Sequence, residues 1–119
     1  MAYVDGFVVP VPRDKLEAYK AASLLCGKVW KELGALEFRE CIGDDVPEGK
    51  HTSFPMAVKL EEGEVVVFSW IVYESRARRD EINAQVMQDP RLKELMEPNN
   101  MPFDGKRLVF GGFELAVDL

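Results

Sequence analysis

The sequence predicts an α+β domain in which two helices cover one face of a sheet, with elements in the order β-α-β-β-α-β. Residues 63–73 are largely apolar and pass without a spacer into a charged run at 74–81, which is typical of a buried strand followed by a helix. Between residues 14 and 34, apolar residues recur at spacings of three and four, as on one face of a helix. A chain of 119 residues is expected to form a single domain, 1–119.

The first part of the chain predicts a strand, a helix and a second strand. Aromatic and β-branched residues at 3–9 indicate strand one, which is expected to close at Pro10 and Pro12. Asp14 is the expected helix cap, and Gly34 ends the helix because glycine adopts a left-handed backbone readily. The predicted helix face contains Leu16, Tyr19, Ser23, Cys26, Trp30 and Leu33. Residues 35–42 alternate as a strand does, with Leu36, Phe38 and Ile42 on one face and Glu37, Arg39 and Cys41 on the other.

The second part of the chain predicts a loop, a buried strand, a helix and a final strand. Residues 43–55 are rich in glycine, proline and charge and predict a loop, while 56–60 are expected to be a strand. The buried strand covers 65–73, and Ser75 can cap the helix that follows it. Asp89 and Pro90 separate that helix from a shorter one, in which Leu92 and its apolar neighbours face the core. The last strand is expected at 107–117.

This order of elements is the split β-α-β unit of ferredoxin-like folds, and it leaves one sheet face without helices. The third strand is apolar on both faces, so either Val65 and every second residue after it, or Val66 and its alternates, would be exposed in a monomer. Two sheets packed face to face would bury that surface. The sequence therefore predicts a homodimer.

Composition narrows the class of partner. The chain has 21 acidic and 15 basic residues and a net charge of -6, which opposes nucleic acid and anionic membrane surfaces as partners. Cys26 and Cys41, the only two cysteines, are expected to be reduced core residues. The amino terminus lacks the basic and apolar regions of a signal peptide, and no apolar run is long enough to span a bilayer. A cytoplasmic protein is expected.

Several segments resemble the YbaA-like family of uncharacterised bacterial proteins, which is placed among the dimeric α+β barrels. The resemblance lies in residues 3–12, 34–45, 52–55, the buried strand, 75–80 and 101–107. It implies the fold and the dimer, but no activity or catalytic residue. Related barrels include cofactor-free monooxygenases, isomerases and binding modules, and fold analogy alone does not choose among them.

One loop holds residue types that bind metals or move protons. Asp44, Asp45 and His51 lie close together in sequence, and a carboxylate can orient an imidazole for acid-base work. Loops of this composition more often serve turn formation and solvation alone. A divalent metal site at these three residues is the functional hypothesis.

Arg76, Arg78 and Arg79 occupy the first turn of a predicted helix, where positive charge is unfavourable against the helix dipole. An anionic ligand at the exposed amides would explain them. Pairing with Glu74, Asp80, Glu81 or a partner subunit is the alternative that we favour.

Polar residues also fall within the predicted sheet. Asp5, Glu37, Arg39 and Ser69 would form either a structural ion-pair network or the lining of a pocket, to which Trp70 would add an aromatic wall. No known catalytic constellation occurs, and no cofactor is expected. The leading hypothesis is a homodimer that binds or converts a small apolar or anionic molecule, in the manner of a cofactor-free oxygenase or isomerase. The alternative is a noncatalytic dimerisation or stress-related interaction module.

Overall fold

A computed structural model describes residues 1–119 and contains one antiparallel sheet of four strands. The strands are β1 (Tyr3–Pro12), β2 (Glu37–Ile42), β3 (Glu64–Tyr73) and β4 (Val109–Glu114), in the order β2-β3-β1-β4. The helices are α1 (Leu16–Leu33), α2 (Phe54–Ala57), α3 (Arg76–Val86) and α4 (Pro90–Lys93). The predicted β-α-β-β-α-β order of the main elements is confirmed, with α2 and α4 as short additions.

Helices α1, α3 and α4 pack on one face of the sheet. Tyr3 pairs with Tyr73 and Val9 with Val67, and the alternate residues between them share this face. One core cluster joins β3 to α1, α3 and α4 through Ile71, Tyr73, Val29, Ile82, Val86 and Leu92. A second cluster contains Val9, Val11, Tyr19 and Val67. This face therefore holds the hydrophobic core.

The other face, here called the open face, carries the alternate residues of each strand. On β3 these are Val66, Phe68, Trp70 and Val72, so the structure decides between the two sets that the sequence allowed. Phe68 is 41% exposed, Val109 45% and Phe113 62%. Only one end is covered, where the Phe54 ring meets Phe68 edge-on at 5.9 Å. Most of the open face thus remains apolar and accessible.

Strand β1 is longer than predicted, because it continues through both prolines to Pro12. β4 pairs with β1 only as far as Val8, so beyond that residue one edge of β1 is free. Proline lacks an N–H group and is tolerated where no neighbouring strand requires one. The expected end of the strand at Val9 was wrong for this reason.

Other boundaries also differ from the predictions. Asp14 lies in a 3-10 turn at 13–15, and Lys15 precedes α1 without a side-chain cap. Residues 56–60 are not a strand, since the Ser53 hydroxyl accepts a hydrogen bond from the Met56 amide and starts α2. β4 ends at Glu114, which is shorter than the expected 107–117.

Three predicted helix ends are confirmed. Gly34 follows α1 with a φ of 120°, and the Ser75 hydroxyl accepts a hydrogen bond from the Arg78 amide at 3.1 Å. Asp89 caps α4 by accepting from the Arg91 amide at 2.8 Å. Cys26 packs against the core as predicted, whereas Cys41 is exposed, because the alternation of β2 places it on the open face. None of the helices has the length and apolar character needed to cross a membrane.

Candidate ligand-binding site

A cavity of about 260 Å³ lies between α1 and the helix-covered face of the sheet. Of its 18 lining residues 13 are hydrophobic, and the segment before β4 closes one end with Phe103 and Leu108. The aromatic side chains in its walls are Phe7, Tyr19, Trp30, Phe38 and Phe103. An apolar cavity of about 150 Å³ is large enough to bind benzene, so this one has room for a substituted aromatic ring.

Polar groups of the cavity come from α1, β2 and β3. The Tyr19 hydroxyl donates a hydrogen bond to Glu40 Oε2 at 2.8 Å. Ser23 and Cys26 follow Tyr19 on the same face of α1, and Ser69 pairs with Glu40 across the two strands. These groups form one polar region in walls that are otherwise apolar.

Burial shifts the pKa values of the ionisable groups in this region upward. Burial raises the pKa of Glu40 above its usual range, and hydrogen bonds from Tyr19 and Ser23 oppose that shift. Burial, together with the nearby Glu40 charge, also raises the pKa of Tyr19 and raises that of Cys26 to about 11. The Cys26 thiol is therefore protonated near neutral pH and is not an activated nucleophile.

An outer groove runs from the cavity along α1 and the free edge of β2. It has a volume of about 550 Å³ and shares Tyr19, Ser23, Phe38 and Glu40 with the cavity. Lys20, Lys28 and Lys31 line this groove, and Leu24 is exposed beside them. Glu40 thus lies where the apolar cavity meets the lysine-lined groove.

Asp5 lies in a different polar cluster, at the end of the sheet under α3. It is 6% exposed, and its Oδ1 is 3.7 Å from Nε of Arg79. Arg79 Nη2 donates to the Tyr3 hydroxyl at 3.2 Å, and the guanidinium carbon lies 4.9 Å from the centre of the Tyr3 ring. The structure therefore joins two residues that sequence reasoning had placed in separate hypotheses.

The same cluster continues to Tyr73 and α1. The indole N–H of Trp30 donates to the Tyr73 hydroxyl at 3.1 Å, and Asn83 Oδ1 lies 3.2 Å from that nitrogen. Burial and the Asp5 charge raise the pKa of Tyr73. Neither Asp5 nor Tyr73 borders the cavity. Their contacts are those of a structural network between the sheet and the helices.

Glu37, Arg39 and Trp70 meet on the open face, across the sheet from Asp5. The indole N–H of Trp70 donates to Glu37 Oε1 at 3.3 Å, and Arg39 Nε is 3.8 Å from the same oxygen. The expectation of one pocket containing these residues together with Asp5 does not agree with the geometry, because alternation places them on opposite faces. Ser69 lines the cavity, and Arg39 borders it.

The three arginines near the start of α3 do not converge on one point. Arg78 donates to the Leu33 carbonyl at 2.6 Å and to Glu81 at 3.0 Å. Arg79 pairs with Asp5 and Asp80, whereas Arg76 is exposed. Contacts within the chain therefore account for Arg78 and Arg79, in line with the favoured alternative that these arginines pair with nearby groups and do not bind an anionic ligand.

Asp44, Asp45 and His51 are exposed in the loop between β2 and α2. No group of three or more His, Cys, Asp or Glu side chains in the protein is arranged to hold a metal ion. The loop residues are thus close in sequence without forming a cluster of metal ligands.

Comparison with known proteins places the chain in a family. Residues 2–105 match the family described as "Protein of unknown function (DUF1428)". The chain belongs to this family. It is also 55% identical over 118 residues to proteins described as "Uncharacterized protein YbaA" from Escherichia coli K12 and Shigella flexneri, covering 99% of each chain. The YbaA-like resemblance expected from the sequence is therefore confirmed.

The fold of this DUF1428 chain is also found in a solved structure. A crystal structure of a dimeric ferredoxin-like protein from an uncultured marine organism matches with a TM-score of 0.62. The match covers 100% of both chains at 10% sequence identity. At that identity the comparison shows the fold alone, and it confirms the ferredoxin-like α+β prediction.

Sequence reasoning missed Tyr19, Ser23 and Glu40 as a functional group. Two signals were present: Tyr19 and Ser23 lie on the predicted helix face, and Glu40 alternates with Phe38 and Ile42 on the apolar side of β2. A carboxylate among apolar residues on a core-facing side is a recognisable anomaly.

Proposed function

We propose that this protein binds a small, mostly apolar molecule in the cavity between α1 and the sheet. The observation that supports the proposal is the cavity itself, whose apolar walls enclose a single polar region at Tyr19 and Glu40. Binding sites of this kind fix orientation through a few polar groups in a largely apolar pocket. The volume of about 260 Å³ favours a ligand of about one substituted ring.

The groove extends the proposal to a ligand that carries an anionic group. The chain as a whole has a net charge of -6, yet Lys20, Lys28 and Lys31 lie together along the entrance. Such a local positive field attracts anions toward the mouth of a cleft. Oxygenase-like or isomerase-like conversion of the ligand, without a cofactor, is the corresponding enzymatic proposal for this cavity.

We also propose that the protein is a homodimer whose two copies pack through the open face. Phe68, Val109 and Phe113 expose apolar surface there, which a second sheet would remove from water. The solved structure of the same fold is described as dimeric. The Glu37, Arg39 and Trp70 group would then lie at the interface.

Toluene is a suitable probe of the cavity, because it is apolar and close to the size of one ring. Amide chemical shifts measured during a toluene titration should change around the cavity. Ala22→Phe places a ring inside the cavity and should weaken toluene binding about tenfold or more. Ala21→Phe is the matched control, since Ala21 is exposed and does not line the cavity.

Two results would contradict the binding proposal. Failure of toluene to bind the folded wild-type protein would favour the noncatalytic interaction module. If Ala22→Phe and Ala21→Phe weakened toluene binding equally, the probe would be binding outside the cavity. Thermal unfolding of each variant establishes that the comparison is made on folded protein.

A further inference from the structure

The polar region of the cavity is organised before any ligand is present. Tyr19 is held from two sides, because its hydroxyl bonds Glu40 and its ring meets Phe103 edge-on at 5.8 Å. Glu40 is held in turn by its place in β2, where it pairs with Ser69 of the neighbouring strand. Groups fixed in this way bind a ligand without first losing conformational freedom.

The shape of the entrance depends on Gly27. A Cβ atom at this position would lie 2.9 Å from the Phe38 ring, so only glycine lets Phe38 pack directly against α1. Phe38 borders both the cavity and the groove, next to Glu40. Phe38 and Glu40 therefore both lie where the groove meets the cavity.

Glu40 retains acceptor capacity for such a ligand. Tyr19 donates to Oε2 and Ser23 also hydrogen-bonds the carboxylate, whereas an ionised carboxylate has about four lone-pair sites. Glu40 is exposed where the groove meets the cavity, so a hydroxyl group entering from the groove can reach its remaining acceptor sites.

The charges around the site favour a ligand whose hydrogen-bond donor is neutral. A cationic ligand would meet Lys20, Lys28 and Lys31 in the groove, and an anionic group inside the cavity would meet Glu40. A neutral hydroxyl on an aromatic ring avoids both repulsions, and it presents a proton to Glu40 while the ring packs on the apolar walls.

We propose that Glu40, oriented by Tyr19, accepts a hydrogen bond from the hydroxyl group of a phenol-type ligand bound in the cavity. This inference rests on the proposed binding function and adds the ligand class and the residue that recognises it. Ser23 and Ser69 lie at the same polar region and complete its hydrogen-bonding surface.

The test compares p-cresol with toluene, which differ by one hydroxyl group. Dissociation constants for both probes are measured on wild type, Glu40→Leu and Glu40→Gln by chemical-shift titration. The preference for p-cresol over toluene should fall about tenfold or more in Glu40→Leu, because a hydrogen bond to a charged group is lost. Glu40→Gln keeps a neutral acceptor, so its preference for p-cresol should lie between those of wild type and Glu40→Leu.

Glu37→Leu is the matched control, because it removes a carboxylate from the same strand on the open face. It should leave the preference of the wild type unchanged. Toluene affinity within about threefold of wild type shows that each variant retains the cavity.

The outcomes separate this inference from the function on which it rests. Toluene binding with an unchanged p-cresol preference in both Glu40 variants would overturn the role of Glu40 and leave the binding function standing. An equal loss of preference in Glu37→Leu would also overturn it, since the effect would then be one of net charge. Failure of both probes to bind wild type would overturn the proposed function and this inference together.

Discussion

At the scale of single residues, the strongest polar contact joins Arg107 to Glu64. Arg107 Nη1 and Nη2 donate to the two carboxylate oxygens at 2.7 and 2.5 Å. Both side chains are largely buried, with 16% and 7% exposed. Arg107 also donates to the Lys59 carbonyl at 3.2 Å, so it ties the segment before β4 to the turn before β3. A bidentate pair in such a position fixes geometry as well as charge.

Arg107→Met should lower the free energy of unfolding at pH 7 by about 2–3 kcal/mol, between the values typical of exposed and of buried ion pairs. Arg107 holds the pKa of Glu64 below its usual range, so the stabilisation is complete above the unfolded pKa of about 4.3. It is lost as the pH falls through the folded pKa. Urea unfolding at pH 7 and pH 3, at one protein concentration, should therefore show a smaller difference from wild type at pH 3.

Arg76→Met is the control for that comparison, because Arg76 is exposed at the start of α3. It should change stability by less than about 0.5 kcal/mol at both pH values. An Arg107→Met difference that is the same at pH 7 and pH 3 would show that the ion pair is not its source.

At the scale of elements, the lack of a side chain at Gly112 allows β4 to lie close to α3. A Cβ atom on Gly112 would lie 2.5 Å from the Tyr3 hydroxyl and 2.8 Å from Arg79 Nη2. These are the two atoms that form the hydrogen bond between β1 and α3. Close approach of β4 to this pair therefore requires glycine, although the φ of Gly112 is ordinary.

Gly112→Ala should destabilise the protein by about 1–3 kcal/mol, because Tyr3 or Arg79 must move to admit the methyl group. Gly111→Ala is the neighbouring control. Its Cβ would lie 3.6 Å from the Phe113 ring, which is an ordinary contact. Denaturant unfolding of the two variants measures the contrast, and equal stabilities would mean that the Tyr3 and Arg79 contact tolerates the extra group freely.

At the scale of the whole molecule, the two faces of the sheet have different roles. The helix-covered face holds the core and the cavity, while the open face presents Phe68, Val109 and Phe113 to solvent. A dimer through the open face would leave the proposed cavity accessible from its groove. Binding and assembly can therefore be tested separately.

Phe113→Lys should shift the protein from dimer to monomer, because it places a charge within the proposed apolar interface. Phe110→Lys is the control. Phe110 is 72% exposed in the same strand, but its pairing with Phe7 places it on the opposite face. Sedimentation equilibrium over a range of concentrations gives the association constants, and a wild-type monomer at every concentration would refute the dimer.

Much of the fold followed from local patterns. The order of elements, the ends of helices at Gly34 and Ser75 and the buried strand β3 all depend on residues close together in the chain. Backbone preference and the spacing of apolar residues act over one or two turns, so the sequence expresses them directly. The resemblance to the YbaA-like family is likewise a property of the sequence.

The site depended on contacts between distant residues. Tyr19 and Glu40 are 21 positions apart, and Tyr3 and Arg79 are 76 apart. Alternation shows which residues of a strand share a face, but only packing against α1 and α3 decides which face is covered. For that reason Asp5 is separated from Glu37 and Arg39, and the cavity forms at Glu40, where the sequence alone showed one more charged residue in a strand.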